Sequence, residues 1–252
     1  MQRDEPADKV LEPAAAKEKF VPSLFDRIAV HYDTMNLVMT AGVWRYWQRV
    51  FRRSCGVEAG AQVLDVGCGT AELSLLTSEL VGPRGHVTGI DVSSRMLEIA
   101  ERKVGASPLR DRITLQWGDA LQIQFPPERF DAAVSAFVMR NVADLDRALA
   151  EIARVVRPGG RVAIMELSQP PASIIRAPFM FYFRRILPLL GLWADRAGLP
   201  VAPYAWLPKS LETFPGAEEL AERMRRAGMV DVRFLRLTAG IVCLHLARVA
   251  PV

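Results

Sequence analysis

From Gln62 onward the chain alternates short apolar runs with stretches of helical period, and this alternation constrains the fold more than any other feature. QVLDV (62–66), HVTGID (86–91), RITLQW (112–117), FDAAVSAFV (130–138) and RVAIMEL (161–167) read as strands. AELSLLTSEL (71–80), SSRMLEIAERKV (93–104) and ADLDRALAEIARVV (143–156) read as helices, with Ser93 and Asp144 placed to cap the last two. GPRG (82–85) and RPGG (157–160) read as turns. Strands that alternate with helices pair in parallel through right-handed crossovers, which predicts an α/β, doubly wound, Rossmann-like sheet. After Ser168 the rhythm stops, and 169–215, rich in proline and aromatic residues, reads as an insertion. AEELAERMRRAG (217–228) is then a helix, and VDVRFLRLT and GIVCLHLARV form a terminal antiparallel hairpin at the sheet edge. Upstream, SLFDRIAVHYD and GVWRYWQRVFRRSC read as amphipathic helices, and 1–20 as a flexible extension.

The length, 252 residues of which half are hydrophobic, suits one α/β domain over 21–252 with the insertion inside it. A net charge of +4 is too small and too dispersed to point to nucleic acid. Cys55, Cys68 and Cys243 lie far apart, and His31, His86 and His245 lack metal-ligand spacing, so neither a disulfide framework nor a metal site is indicated. The charged N-terminus is no signal peptide, and the longest apolar stretch, Ile174–Trp193, is interrupted by three arginines and two prolines. The expected location is the cytoplasm.

LDVGCGTAEL places Gly67 and Gly69 between the first strand and a helix, where a backbone without side chains can approach a ligand at the positive end of the helix. A tight strand-to-helix turn alone explains the same glycines. Asp91, ending the second strand about 20 residues on, stands where a nucleotide-binding sheet puts the acid that holds a ribose diol. The dinucleotide fingerprint wants a glycine or alanine at the position of Glu72, which speaks against a dinucleotide.

With Asp65 leading the loop, D-x-G-x-G resembles the first motif of the class I S-adenosylmethionine methyltransferases, whose fold also carries a terminal antiparallel hairpin. WGDAL (117–121) resembles the segment those enzymes lay against adenine, with Asp119 as acceptor from the exocyclic amine; a turn cap is the plainer role for Asp119. HYDTMNLVMTAGVWRYW, RNVADLDRAL, PYAWLPKSLETFP and TAGIVCLH resemble the motifs of the ubiquinone/menaquinone biosynthesis C-methyltransferases, together covering roughly residues 20–249. The resemblance implies S-adenosyl-L-methionine as cofactor, held by Asp65, Gly67, Gly69, Thr70, Asp91, Asp119 and Ala120. It implies methylation of a ring carbon of a polyprenylated hydroquinone, for example demethylmenaquinol. The chain departs from the family pattern at Ala71, Glu72 and Ala136, the last standing where a serine is usual.

A ring carbon becomes nucleophilic when the hydroquinone ionises at oxygen, so the site must favour a phenolate. The apolar run Val134–Met139 reads as a buried strand and ends in Arg140 and Asn141 at the carboxyl edge of the sheet, where such folds bind ligands. Arg140 is then a fixed positive charge for the phenolate, too basic to act as a proton acceptor, and Asn141 an orienting amide. An ion pair with Asp33 is the structural alternative. Tyr32 and Asp33 sit on the segment that could cover the site, Tyr32 against the ring and Asp33 as proton acceptor or anchor. His245 reads as a hairpin histidine rather than a base. The basic, aromatic helix WRYWQRVFRR suits contact with an anionic membrane surface, as a prenylated substrate requires. The expected partners are therefore a polyprenylated quinol and a membrane surface, with a homodimer or a quinone-biosynthesis complex as assembly. Two other readings remain at this level: a methyltransferase of the same fold acting on a phospholipid amine or a specialised metabolite, and a non-catalytic S-adenosylmethionine-binding subunit of such a complex.

Overall fold

A computed structural model of the chain describes residues 14–40, 42–170, 181 and 206–251. Seven strands form one sheet: β1 (Gln62–Val66), β2 (His86–Asp91), β3 (Ile113–Trp117), β4 (Phe130–Ala136), β5 (Val156–Leu167), β6 (Met229–Leu237) and β7 (Val242–Val249), in the order β3-β2-β1-β4-β5-β7-β6. β1 to β5 pair in parallel, and β7 runs antiparallel to both β5 and β6. Among the described residues the helices are α1 (Ala14–Ile28), α2 (Tyr32–Met39), α3 (Trp44–Ser54), α4 (Glu72–Val81), α5 (Ser94–Gly105), α6 (Leu145–Val155), α7 (Trp206–Thr213) and α8 (Ala217–Arg226). The doubly wound sheet with its terminal hairpin is therefore the fold the alternation predicts.

Successive residues of a strand face opposite sides. Val63, Val87, Val134 and Met165 pack with Trp47 and Phe51 of α3, Leu73 and Leu76 of α4, and Ala100 and Val104 of α5. Leu64, Val66, Ala133 and Ile164 pack with Leu149 and Ile152 of α6 and Leu220 and Met224 of α8. Being covered on both faces explains why the central strands read as continuous apolar runs. The predicted caps are made: Ser93 Oγ accepts from Met96 N at 3.1 Å, and Asp144 Oδ1 from Arg147 N at 3.0 Å.

Several boundaries differ. α1 starts at Ala14, inside the stretch expected to be a flexible extension. β4 ends at Ala136, not Met139, because Phe137 adopts a left-handed backbone (φ 61°) that no strand accommodates. RPGG is not a free turn but part of β5, where the pairing with β4 shifts register between Phe130 and Ala132. Of the insertion 169–215, most lies outside the described residues, as does most of Ile174–Trp193. Among the described residues no helix is long and apolar enough to cross a membrane, and no cluster of metal-ligating side chains occurs.

Asp65 and His245, both buried in this framework, have opposite consequences. Asp65 of β1 is 0% exposed; its Oδ2 accepts from Ser74 Oγ of α4 at 2.6 Å, Oδ1 has no hydrogen-bond partner, and burial pushes its carboxyl up to about 7. His245 of β7 donates from Nε2 to Ala217 O at 2.9 Å, and burial pulls its ring down to about 4. It is a structural histidine fixed in its neutral form. Between about pH 4 and 7 native Asp65 keeps a proton that the unfolded chain has lost, so its contribution falls as pH rises, by about 1.4 kcal/mol per unit. Between about pH 4 and 6.5 native His245 refuses a proton the unfolded chain takes, so its contribution rises with pH by a similar amount. The two slopes offset one another. Asp65→Asn should remove only the first: from pH 4.5 to 6.5, variant stability should climb relative to the parent by about 2 kcal/mol. Urea melts across that range measure it, and parallel curves for the two proteins would show that Asp65 does not titrate there.

Candidate active site

The carboxyl ends of β1, β2 and β4 open into a cavity enclosing about 910 Å³ of space, its mouth included. Open α/β sheets bind ligands at this edge. One side of the wall is Gly67, Gly69, Asp91, Val92, Gly118, Asp119, Ala120 and Leu121; the other is Ala136, Phe137, Val138, Asn141, Val142 and Ala143. Val21, Pro22, Phe25 and Tyr32 of the N-terminal segment lie across it.

The glycine loop is built for close approach. Gly67 (φ +72°) and Gly69 (φ +53°) are both left-handed, but they are glycine for different reasons. A Cβ at Gly67 would stand 2.4 Å from Val138 Cγ2. A Cβ at Gly69 would meet no protein atom within 4 Å and would point into open space. Ala71, which ends the loop, also has a left-handed backbone (φ 67°). The loop is held from the neighbouring strand: Asp91 Oδ2 accepts from Gly69 N and Oδ1 from Ser93 N, each at 2.8 Å. Burial raises the Asp91 carboxyl from its ordinary value, while these backbone donors oppose that. Asp119 Oδ1 caps its own turn by accepting from Leu121 N at 2.8 Å, and the residue also lines the cavity. A left-handed glycine cradle, an acid at the end of β2 and a second acid beyond β3 form a donor and acceptor set that fits an adenosyl group.

On the side beside β4, Asn141 Nδ2 donates to Phe137 O at 3.1 Å. Tyr32 lines the cavity, and burial raises its phenol above the ordinary value, against a hydrogen bond with Asn36 and the charge of Arg140. Tyr32 is therefore a protonated hydrogen-bond donor.

Four sequence-predicted residues stand behind the wall rather than on it. Arg140 is buried and its Nη1 bonds Glu166 Oε1 at 2.6 Å and Phe137 O at 2.9 Å. Its carboxylate partner is thus Glu166, not Asp33. Asp33 instead accepts from Lys103 Nζ (2.6 Å) and from Thr70 Oγ1 (2.6 Å). Thr70 is consequently turned away from the cavity, and Asp65 lies beneath the loop against α4. The residues that sequence reasoning missed are Glu166, Lys103 and Phe25. Only Glu166 left a signal, as a lone acid in the apolar run RVAIMEL.

The two glycines separate packing from ligand space, and their alanine variants should behave differently. Gly69→Ala puts a methyl into the cavity, so affinity for S-adenosylmethionine should fall at least tenfold while stability drops by about 1–2 kcal/mol from the left-handed backbone. Gly67→Ala adds a collision with Val138 and should cost a further ~1–3 kcal/mol. Calorimetric titration and thermal melts read both quantities; a Gly69→Ala protein with unchanged affinity would empty the cradle of its assigned ligand.

Comparison with known proteins agrees with this geometry. The chain is 43% identical to demethylmenaquinone methyltransferase of Symbiobacterium thermophilum over 231 residues, 91% of this chain and 92% of that protein. It is 40% identical to demethylmenaquinone methyltransferase of Geobacillus kaustophilus, over 92% and 97% of the two chains. Among solved structures, a SAM-dependent methyltransferase from Aquifex aeolicus superposes with TM-score 0.60 at 20% identity, covering 81% of this chain and 89% of that one. Phosphoethanolamine N-methyltransferase 2 from Haemonchus contortus superposes with TM-score 0.56 at 17% identity, covering 84% and 53%. These distant structures share the fold alone. Residues 14–248 match the family model as well, and the chain belongs to the ubiE/COQ5 methyltransferase family.

Proposed function

We propose that this protein transfers a methyl group from S-adenosyl-L-methionine to the ring carbon of demethylmenaquinol. The observation that carries this reading is similarity to demethylmenaquinone methyltransferases along nearly the whole of both chains. The cavity supports it, with a nucleoside cradle on one side and a mostly apolar wall with one phenol and one amide on the other.

When bound, the cofactor supplies an electrophilic methyl carried on a sulfonium. Gly67 and Gly69 would hold it through close backbone approach, Asp91 would take the ribose hydroxyls, and Asp119 with Ala120 would take the adenine. On the acceptor side Tyr32 donates to a ring oxygen and Asn141 orients the ring, while Phe25, Phe137 and Val138 keep water from the reacting carbon. Arg140 does not touch the ring. Its positive charge reaches the site from behind, where it acts on the Tyr32 hydroxyl. Phenolate charge that develops at the ring oxygen is stabilised through that hydroxyl. Holding carbon and methyl in line contributes about 7–11 kcal/mol to such a transfer.

Membrane contact belongs to the same reading, because a prenylated quinol resides in lipid. α3 exposes Arg45, Arg49, Arg52 and Arg53 at helical spacing together with Tyr46, and Glu79 pairs with Arg52. The preceding segment exposes Val30 and Leu37. We place this surface against anionic headgroups.

The decisive assay offers demethylmenaquinol and isotope-labelled S-adenosylmethionine, and menaquinol must take up the label. The same assay isolates the Arg140 charge. Arg140→Gln alone strands the buried Glu166 and should cost about 3–5 kcal/mol of stability. The double variant Arg140→Gln/Glu166→Gln leaves no charge behind and should fold, with kcat lower by about 10² and cofactor affinity nearly unchanged. A folded double variant with normal turnover removes Arg140 from the mechanism. Flotation with anionic vesicles should carry the protein up at low salt and release it at high salt. Failure to float, or binding that resists high salt, would sink the membrane assignment.

A further inference from the structure

The N-terminal segment from Val21 to Asn36 crosses the cavity, and it is held there by apolar packing and by polar tethers. Val21 and Leu24 form a small cluster with Phe25, and Ile28 and Ala29 pack on Met96, Ile99 and Tyr32. Two of its polar tethers among the described residues end beside residues assigned to the cofactor. At the first, Asp26 Oδ1 accepts from Ser93 Oγ at 2.6 Å, and Ser93 N donates to Asp91. At the second, Asp33 Oδ1 accepts from Thr70 Oγ1 at 2.6 Å, and Thr70 follows Gly69 in the glycine loop.

Lys103, on the last turn of α5, lies at the centre of the second tether. An ammonium has three protons, and here each has an acceptor: Asp33 Oδ2 at 2.6 Å, Glu72 Oε1 at 2.9 Å and Thr70 Oγ1 at 3.3 Å. One side chain thus joins the crossing segment, the glycine loop and the first turn of α4. It is partly shielded, at 25% side-chain exposure. The closest of these contacts is to the residue directly after Tyr32, whose ring lines the cavity.

We propose that Lys103 is a positioning residue: through Asp33, Thr70 and Glu72 it clamps residues 21–36 across the cavity, so that the cofactor leaves only when the clamp opens and Tyr32 meets the acceptor only when it is closed. This rests on the cavity being the S-adenosylmethionine site. Lys103 touches neither cofactor nor acceptor. Opening the clamp separates Asp33 from both Lys103 and Thr70, and it exposes the apolar underside of α1.

The probe is S-adenosylhomocysteine, which carries the same nucleoside and no transferable methyl. Lys103→Met keeps the length of the stem and removes the charge. It should release S-adenosylhomocysteine about five- to tenfold faster than the parent, with a similar association rate. Raising salt to about 1 M, where screening acts over about 3 Å, should speed release from the parent and leave Lys103→Met unchanged. Lys103→Arg should restore part of the slow release. Trypsin cleavage at the exposed Arg27 should be suppressed by S-adenosylhomocysteine in the parent and much less in Lys103→Met. A merely structural lysine would lower the melting temperature and leave release rate, salt response and cleavage pattern alike in the two proteins, which overturns the clamp. If S-adenosylhomocysteine binds the parent but leaves from both at one rate, the clamp falls and the cofactor assignment stands. If it does not bind the parent at all, both fall together.

Discussion

The carboxyl edge of the sheet is organised by the buried ion pair of Arg140 and Glu166. Glu166 ends the apolar run of β5, and Arg140 follows the last residues of β4, its neighbour in the sheet. Every oxygen of Glu166 is occupied: Oε1 by Arg140 Nη1 and Leu167 N, Oε2 by Arg140 N. A buried pair contributes little net stability compared with apolar packing, but breaking it leaves one stranded charge. Its effect here is geometric. Arg140 bonds Phe137 O, and so does Asn141. Together they fix the left-handed turn that stops β4 and sends Phe137, Val138 and Asn141 to the cavity wall.

That turn in turn seats the N-terminal part of the chain. The Phe137 ring lies 5.8 Å from Trp44 and 5.9 Å from Trp47, centroid to centroid. Trp47 Nε1 donates to Thr238 Oγ1 at 2.7 Å, in the left-handed link between β6 and β7. The Trp47 and TAGIV motifs, 191 residues apart, are thus two halves of one contact, and both depend on where Phe137 stands. The hairpin that marks the fold and the helix that carries the basic surface are fastened at the same point.

Much of this was legible locally. Parallel strands, helix caps and the glycine loop follow from period, capping residues and the need for left-handed backbone, all set by neighbours in sequence. Phe137 shows the limit of that reading. An apolar run signals burial, and Met139 is indeed buried, but burial continues past the strand where a turn happens to face the core. The partners of the polar site residues were illegible for a different reason. Arg140 and Glu166 lie 26 residues apart, Thr70 and Asp33 37, and Lys103 and Asp33 70. Which carboxylate an arginine finds depends on strand order, and Asp33 and Glu166 look equivalent until the sheet is assembled. Asp65 and Thr70 likewise carry the right chemistry in the right motif, yet they face inward to support the loop.

Beside β4, charge is therefore kept behind the cavity wall. Arg140, Glu166, Asp33, Lys103 and Glu72 all sit one layer back, each satisfied by a partner. On the acceptor side the cavity itself presents a phenol, an amide and apolar side chains. For an acceptor with an apolar ring and tail this division is physically reasonable. A bare guanidinium on the wall would have to be desolvated each time such a substrate entered, at a cost of several kcal/mol. A guanidinium already desolvated in the fold has met that cost once, during folding. The side beside β2 differs. Asp91 stands on the wall itself, with backbone donors from Gly69 and Ser93 holding its oxygens in place and opposing the effect of burial. The two halves of one cavity thus solve opposite solvation problems, and the glycine loop, shared by both, is where they meet.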